Sequence, residues 1–222
     1  MLFRSVRPRI LRQITTPGAT LSVHVFAGVA YAGTDRGEVL AVDLFSGETM
    51  DQLTLPFPVH DLKVHRNTLF AGGPAANQAA LQTIALLDDG TFGISGTLQT
   101  SPNSVARRGV RLAVGDDLAY LVHGRGYSTW IITNLFAPRL LNSANTAQFG
   151  WFQIAPDGAG LGVACVGPNS TDDGPHDVSV YDLRDPAQND RFLRTVTTPG
   201  LAAALAVHGS LAYVADTEHG VH

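Results

Sequence analysis

The sequence is poor in the residues that mark most kinds of chemistry. It has one cysteine, Cys165, so neither an intrachain disulfide nor a cysteine-based zinc site can form. Cys165 lies in the apolar run 161–166, where a buried thiol is expected. The single lysine, Lys63, sits in a strand pattern, and no G-x-S-x-G elbow is present. No stretch reaches the roughly 18 apolar residues of a membrane span. The opening MLFRSVRPRILRQ puts charges where an export leader needs an apolar run. The net charge of −4 speaks against a nucleic-acid partner, because phosphate binding needs a basic face. Arg4, Arg7, Arg9 and Arg12 form one local basic run, read as a solvated strand or a foreign end. Met1–Ser5 resembles an adapter-encoded tail, and the expectation that follows is a translated fragment of a larger gene.

What is present is a repeat. Arg9–Gly18 (RILRQITTPG) returns as Arg191–Gly200 (RFLRTVTTPG), and residue 9 to residue 191 is an offset of 182. The same offset takes Val25 to Val207, Ala30 to Ala212 and Tyr31 to Tyr213. Intermediate copies recur as two apolar strands around a polar or Gly-containing turn: Val23–Gly33, Leu62–Gly72, Leu112–Val122, Phe152–Ala164 and Leu205–Ala215. A third strand then ends in Asp or Asn, at Asp43, Asp88, Asn134 and Asp182, spaced 45, 46 and 48 residues apart. The side chain there is expected to accept hydrogen bonds from backbone N–H groups just downstream. The offset of 182 over four steps is about 45.5, so two markers agree on one period. Strands rich in Val, Ile, Tyr and Thr, with no amphipathic helix, exclude helical repeats of similar length.

A unit of this length with three or four strands predicts an all-β β-propeller of four-stranded antiparallel blades. The intervals are 19–58, 59–103, 104–148 and 149–200, with a partial blade at 201–222 and the last strand of a preceding blade at 9–18. The chain is then a single domain forming an incomplete arc of four blades and two partial ones. Alternatively the two partial pieces join and close a five-bladed ring. VSVYDLRDP (178–186) and GSLAYVADTEHGV (209–221) resemble the LVIVD repeat of bacterial and archaeal propellers. That resemblance implies a fold and almost no chemistry.

Few residues suggest a site. Gly124-Arg125-Gly126-Tyr127 is a Gly-rich turn with no helix after it, which fails the context of a dinucleotide loop. It is expected to present Arg125 and Tyr127 to solvent. These two, with Trp130 and Trp151, are the candidate binding residues, because Arg and aromatics dominate binding hot spots. The competing reading packs both tryptophans between blades. Asp172, Asp173, His176 and Asp177, in the polar insertion 167–177, could offer ligands to calcium or another divalent ion. A solvated hairpin tip is the simpler reading, since the EF-hand spacing is absent. Asn169-Ser170-Thr171 is a glycosylation sequon.

No catalytic set and no cofactor motif emerges. The expectation is a non-catalytic module that recognises a protein or glycan, within a larger exported or surface bacterial protein, without nucleic acid or a membrane span. The alternative is a propeller enzyme whose channel gathers Asp, Glu and His from several blades, with a metal or quinone.

Overall fold

Two-residue turns set the hairpins. Ala27-Gly28, Arg66-Asn67 and Ala76-Asn77 all carry positive φ at both positions, the conformation whose twist matches antiparallel strands. Asn and Gly tolerate it at low steric cost. The computed structural model describes residues 10, 12–102, 104, 110–143, 150–167 and 177–222.

The first sheet is β1 (Thr20–Phe26), β2 (Val29–Thr34), β3 (Glu38–Asp43) and β4 (Thr49–Thr54), antiparallel and in chain order. The second is β5 (Asp61–His65), β6 (Thr68–Ala75), β7 (Gln78–Leu86) and β8 (Phe92–Ser95), with β9 (Gln99–Thr100) also pairing β7. The third is β10 (Arg111–Gly115), β11 (Leu118–His123), β12 (Gly126–Ile131) and β13 (Arg139–Ser143). The fourth is β14 (Trp151–Pro156), β15 (Leu161–Val166), β16 (Asp177–Asp182) and β17 (Phe192–Thr197). A fifth sheet has two strands, β18 (Ala202–His208) and β19 (Leu211–Asp216). The only helical segment among the described residues is one 3-10 turn, Thr217–His219. The chain is therefore all-β, built of repeated four-stranded antiparallel sheets.

Each sheet is apolar on both faces, so each needs a neighbour on either side. Four cores fill the spaces between consecutive sheets. Tyr31, Val39 and Ala41 meet Leu62, Leu69 and Ile84 between the first and second. Phe70 and Leu81 meet Leu112, Leu121 and Trp130 between the second and third. Tyr120, Val122 and Tyr127 meet Trp151, Ile154 and Tyr181 between the third and fourth. Cys165 and Val178 meet Leu205 and Val214 between the fourth and fifth.

The first strands stand side by side in the order β1, β5, β10, β14, β18. A crossover, Leu55–His60, carries the chain from β4 to β5 and is pinned to both sheets. Leu55 N–H donates to Gly37 O at 2.8 Å, Val59 N–H to Thr34 O at 2.9 Å and His60 N–H to Gly72 O at 2.8 Å. The approach is close enough that a Cβ at Gly73 would collide with the Pro58 carbonyl.

The row of sheets is not closed, so the five-membered ring does not form. Residues 12–18 carry no strand pairing within the described residues. A strand is defined by its ladder partner, and none among the described residues pairs with this stretch. Instead Arg12 lies over the β3–β4 turn, against Gly47.

In three sheets the Asp or Asn after the third strand holds the following turn. Asp43 Oδ1 accepts from Ser46 N–H at 2.5 Å, Asn134 Oδ1 from Phe136 N–H at 3.1 Å and Asp182 Oδ1 from Arg184 N–H at 3.0 Å. In the second sheet Asp89, not Asp88, does this, accepting from Thr91 N–H at 2.9 Å.

Candidate functional site

Buried aromatic and imidazole groups occupy the turn after β11. His123 ends that strand fully buried, and burial, with the Arg125 charge adding to it, pushes its imidazole down to about 4. Its Nδ1 accepts the Arg125 N–H at 3.3 Å. Arg125 itself is half-buried. Tyr127 is not presented to solvent, which corrects the sequence expectation. It pairs with Val122 across the ladder and faces the fourth sheet, with its ring 5.9 Å from Tyr120, 5.7 Å from Trp151 and 6.2 Å from Tyr181. Burial pushes its hydroxyl pKa strongly upward, and that of Tyr181 to about 12. Trp130 faces the second sheet and Trp151 the third, each 1% exposed. Neither can meet a ligand from solvent, so as binding residues these two and Tyr127 are replaced by a packing role.

Of the candidate metal ligands, Asp172, Asp173 and His176 lie outside the described residues, and Asp177 opens β16. Among the described residues no group of three or more His, Cys, Asp or Glu side chains gathers.

The first strands carry a polar strip that sequence reading did not single out. Asp61 binds Lys63 Nζ at 3.2 Å through Oδ1, while Oδ2 takes the Leu112 N–H of the next sheet at 2.8 Å. Arg111 donates to His60 O at 2.7 Å. His24 is lowered by burial and then by Lys63, against the pull of Asp61; His60 is lowered by burial and then by Arg111. Gln153 occupies the place of Asp61 in the fourth sheet and clasps Leu205 of the fifth. Ser22 donates to Val59 O at 3.0 Å. Asp61, Arg111 and Gln153 each precede the apolar residue, Leu62, Leu112 and Ile154, that faces the preceding sheet. These groups are spent on holding sheets together.

Two grooves remain. One, of about 330 Å³, lies between the β10–β11 and β14–β15 turns, lined by Val114, Gly115, Leu118, Tyr120, Pro156 and Leu183 among others. The second, of about 470 Å³, lies between the fourth and fifth sheets. No helix among the described residues is long and apolar enough to cross a membrane.

No family model matches the chain, and no curated protein sequence does. Among solved structures it is similar to the computationally designed Ika8 protein, with a TM-score of 0.57 and 12% identity over 91% of this chain and 69% of that one. It is also similar to the computationally designed Ika4 protein, with a TM-score of 0.55 and 13% identity over 76% of this chain and 94% of that one. At such identity the likeness is one of fold alone: repeated antiparallel β-sheets.

Proposed function

We propose that the chain is an arc of a β-propeller, with repeats of the LVIVD type, that serves as a non-catalytic recognition scaffold in an exported or surface-associated bacterial protein. The ordered first strands and the four cores between consecutive sheets support the propeller reading. The observation that carries the functional reading is the groove between the β10–β11 and β14–β15 turns. Its walls are mostly apolar side chains and turn backbone, with Asp116 among them, supplied by two hairpins. That lining suits an apolar anchor of a protein partner better than a glycan, which asks for convergent polar groups.

Gly115 offers the test. A Cβ there meets nothing within 4 Å, and the residue is not among those with positive φ, so Gly115→Arg fills the groove without straining the turn. Peptides selected on the intact chain should shift the backbone amide resonances of Gly115, Asp116 and Gly160, and Gly115→Arg should weaken them at least tenfold. Selected peptides that bind elsewhere, or that ignore Gly115→Arg, would refute the assignment.

A further inference from the structure

The strip across β1, β5 and β10 carries more positive charge than the sheets consume. Lys63 and Arg111 stand there against one carboxylate, Asp61. That carboxylate is sequestered. It accepts from Leu62 N–H at 2.9 Å, from Leu112 N–H at 2.8 Å and from Lys63 Nζ at 3.2 Å. Its side chain is 13% exposed, while that of Lys63 is 39% exposed and Arg111 is exposed. Solvent therefore meets the cations more than the acid. Within the described residues each cation commits one side-chain N–H: Lys63 to Asp61, and Arg111 Nη1 to His60 O at 2.7 Å. An ammonium has three such donors and a guanidinium five, so most of this donor capacity is left over. The Nε–Nη2 edge of Arg111 is the part that stays open.

Two imidazoles flank these cations. His24 feels Lys63 and Asp61, and His60 feels Arg111. Both rings are half-buried, and neither forms a hydrogen bond among the described residues. Burial, then the neighbouring cation, lowers both, so each is a neutral ring with one N–H to offer. One surplus positive charge, a planar fork and an ammonium match a carboxylate monoanion. A phosphate dianion would leave a negative charge unmatched beside Asp61. We propose that this strip is a carboxylate-binding site: Arg111 takes both oxygens of a ligand carboxylate along its open edge, Lys63 balances the charge, and His24 and His60 flank it. The carboxylate belongs to a free organic acid or to an acidic side chain of a peptide. Arg111 opens β10 and Gly115 closes it, so the strip and the apolar groove lie at opposite ends of one strand, and either assignment can fail without the other.

The probes are sodium acetate and a capped glutamate tripeptide, acetyl-GEG-amide. Each is titrated into the intact chain at about pH 7, replacing sodium chloride at constant ionic strength. The ring resonances of His24 and His60 and the Nε–H resonance of Arg111 should shift and saturate. Saturation with either probe supports the site, and the tighter of the two identifies the source of the carboxylate. Arg111→Gln and Lys63→Gln should each weaken binding at least tenfold, and Arg111→Lys, which keeps the charge and loses the fork, should fall between. Arg139→Gln, an exposed cation on β13, should bind as the unaltered chain does. If a strip variant fails to fold, the His24 and His60 shifts of the unaltered chain still decide. Shifts that never saturate with either probe, equal binding by folded Arg111→Gln, or tighter binding of inorganic phosphate than of acetate would overturn the proposal.

Discussion

Gln153 grips Leu205 with both ends of its amide: Nε2 donates to the Leu205 carbonyl at 2.8 Å and Oε1 accepts the Leu205 N–H at 3.1 Å. The two residues lie 52 apart in sequence and in different sheets. Gln153→Leu removes both bonds and strands a peptide group, at a cost of about 1–2 kcal/mol. The loss should fall on the fifth sheet. Hydrogen exchange at Leu205 and Val214 should accelerate while Leu121 in the third sheet keeps its rate.

Trp151 separates packing from binding. Its ring lies 5.1 Å from Tyr181 and 5.7 Å from Tyr127 in the third core. Trp151→Ala should cost about 3–5 kcal/mol, read as a lower urea midpoint with an unchanged slope. A change within about 0.5 kcal/mol is what a surface residue would give.

His123 predicts an acid-labile fold. Its folded pKa, about 4, lies below the 6.5 of an ordinary imidazole, so the unfolded chain takes up the proton first. The stability from keeping this ring neutral is present above pH 6.5 and is lost as pH falls toward 4, to a total of about 3 kcal/mol. His24 and His60, also lowered, add in the same direction. Asp182 acts in a lower window. Its carboxyl is held well below the usual range by the Arg184 side chain and backbone, so its contribution goes only as pH drops through the carboxylate range. Melting temperatures from pH 8 to 3.5 should show the histidine slope above pH 4, and His123→Gln should flatten much of it.

Cys165 is fully buried, and burial pushes its thiol up to about 12. The thiolate is the reactive form. Iodoacetamide at pH 8 should leave the folded chain unmodified by mass and label it fully in urea. Labelling of the native chain at the rate of a free thiol would show that the fourth core is open.

The strand pattern could be read in the sequence because it is local: alternation, two-residue turns and the closing carboxylate all lie within a few residues. What escaped reading is not local. RILRQITTPG and RFLRTVTTPG are near copies, yet Phe192–Thr197 forms β17 while residues 12–16 form no strand. The difference is the presence of β16 as a ladder partner. Asp88 fits the period of the marker, but Asp89 holds the turn, accepting from Thr91 N–H. The faces taken by Tyr127, Trp130 and Trp151 depend on strand parity, which turn geometry sets. Asp61 reaches Leu112 across 51 residues and Gln153 reaches Leu205 across 52, so the position of each polar residue before a buried apolar one is legible locally but its partner is not.

The four separate cores have a mechanical consequence. Each sheet leans only on the ones before and after it, so disruption passes from neighbour to neighbour instead of striking the whole molecule at once. Such a stack melts by fraying inward from its two outermost members. It also lengthens cheaply, since duplicating one unit of about 45 residues adds a new core without remaking any old one.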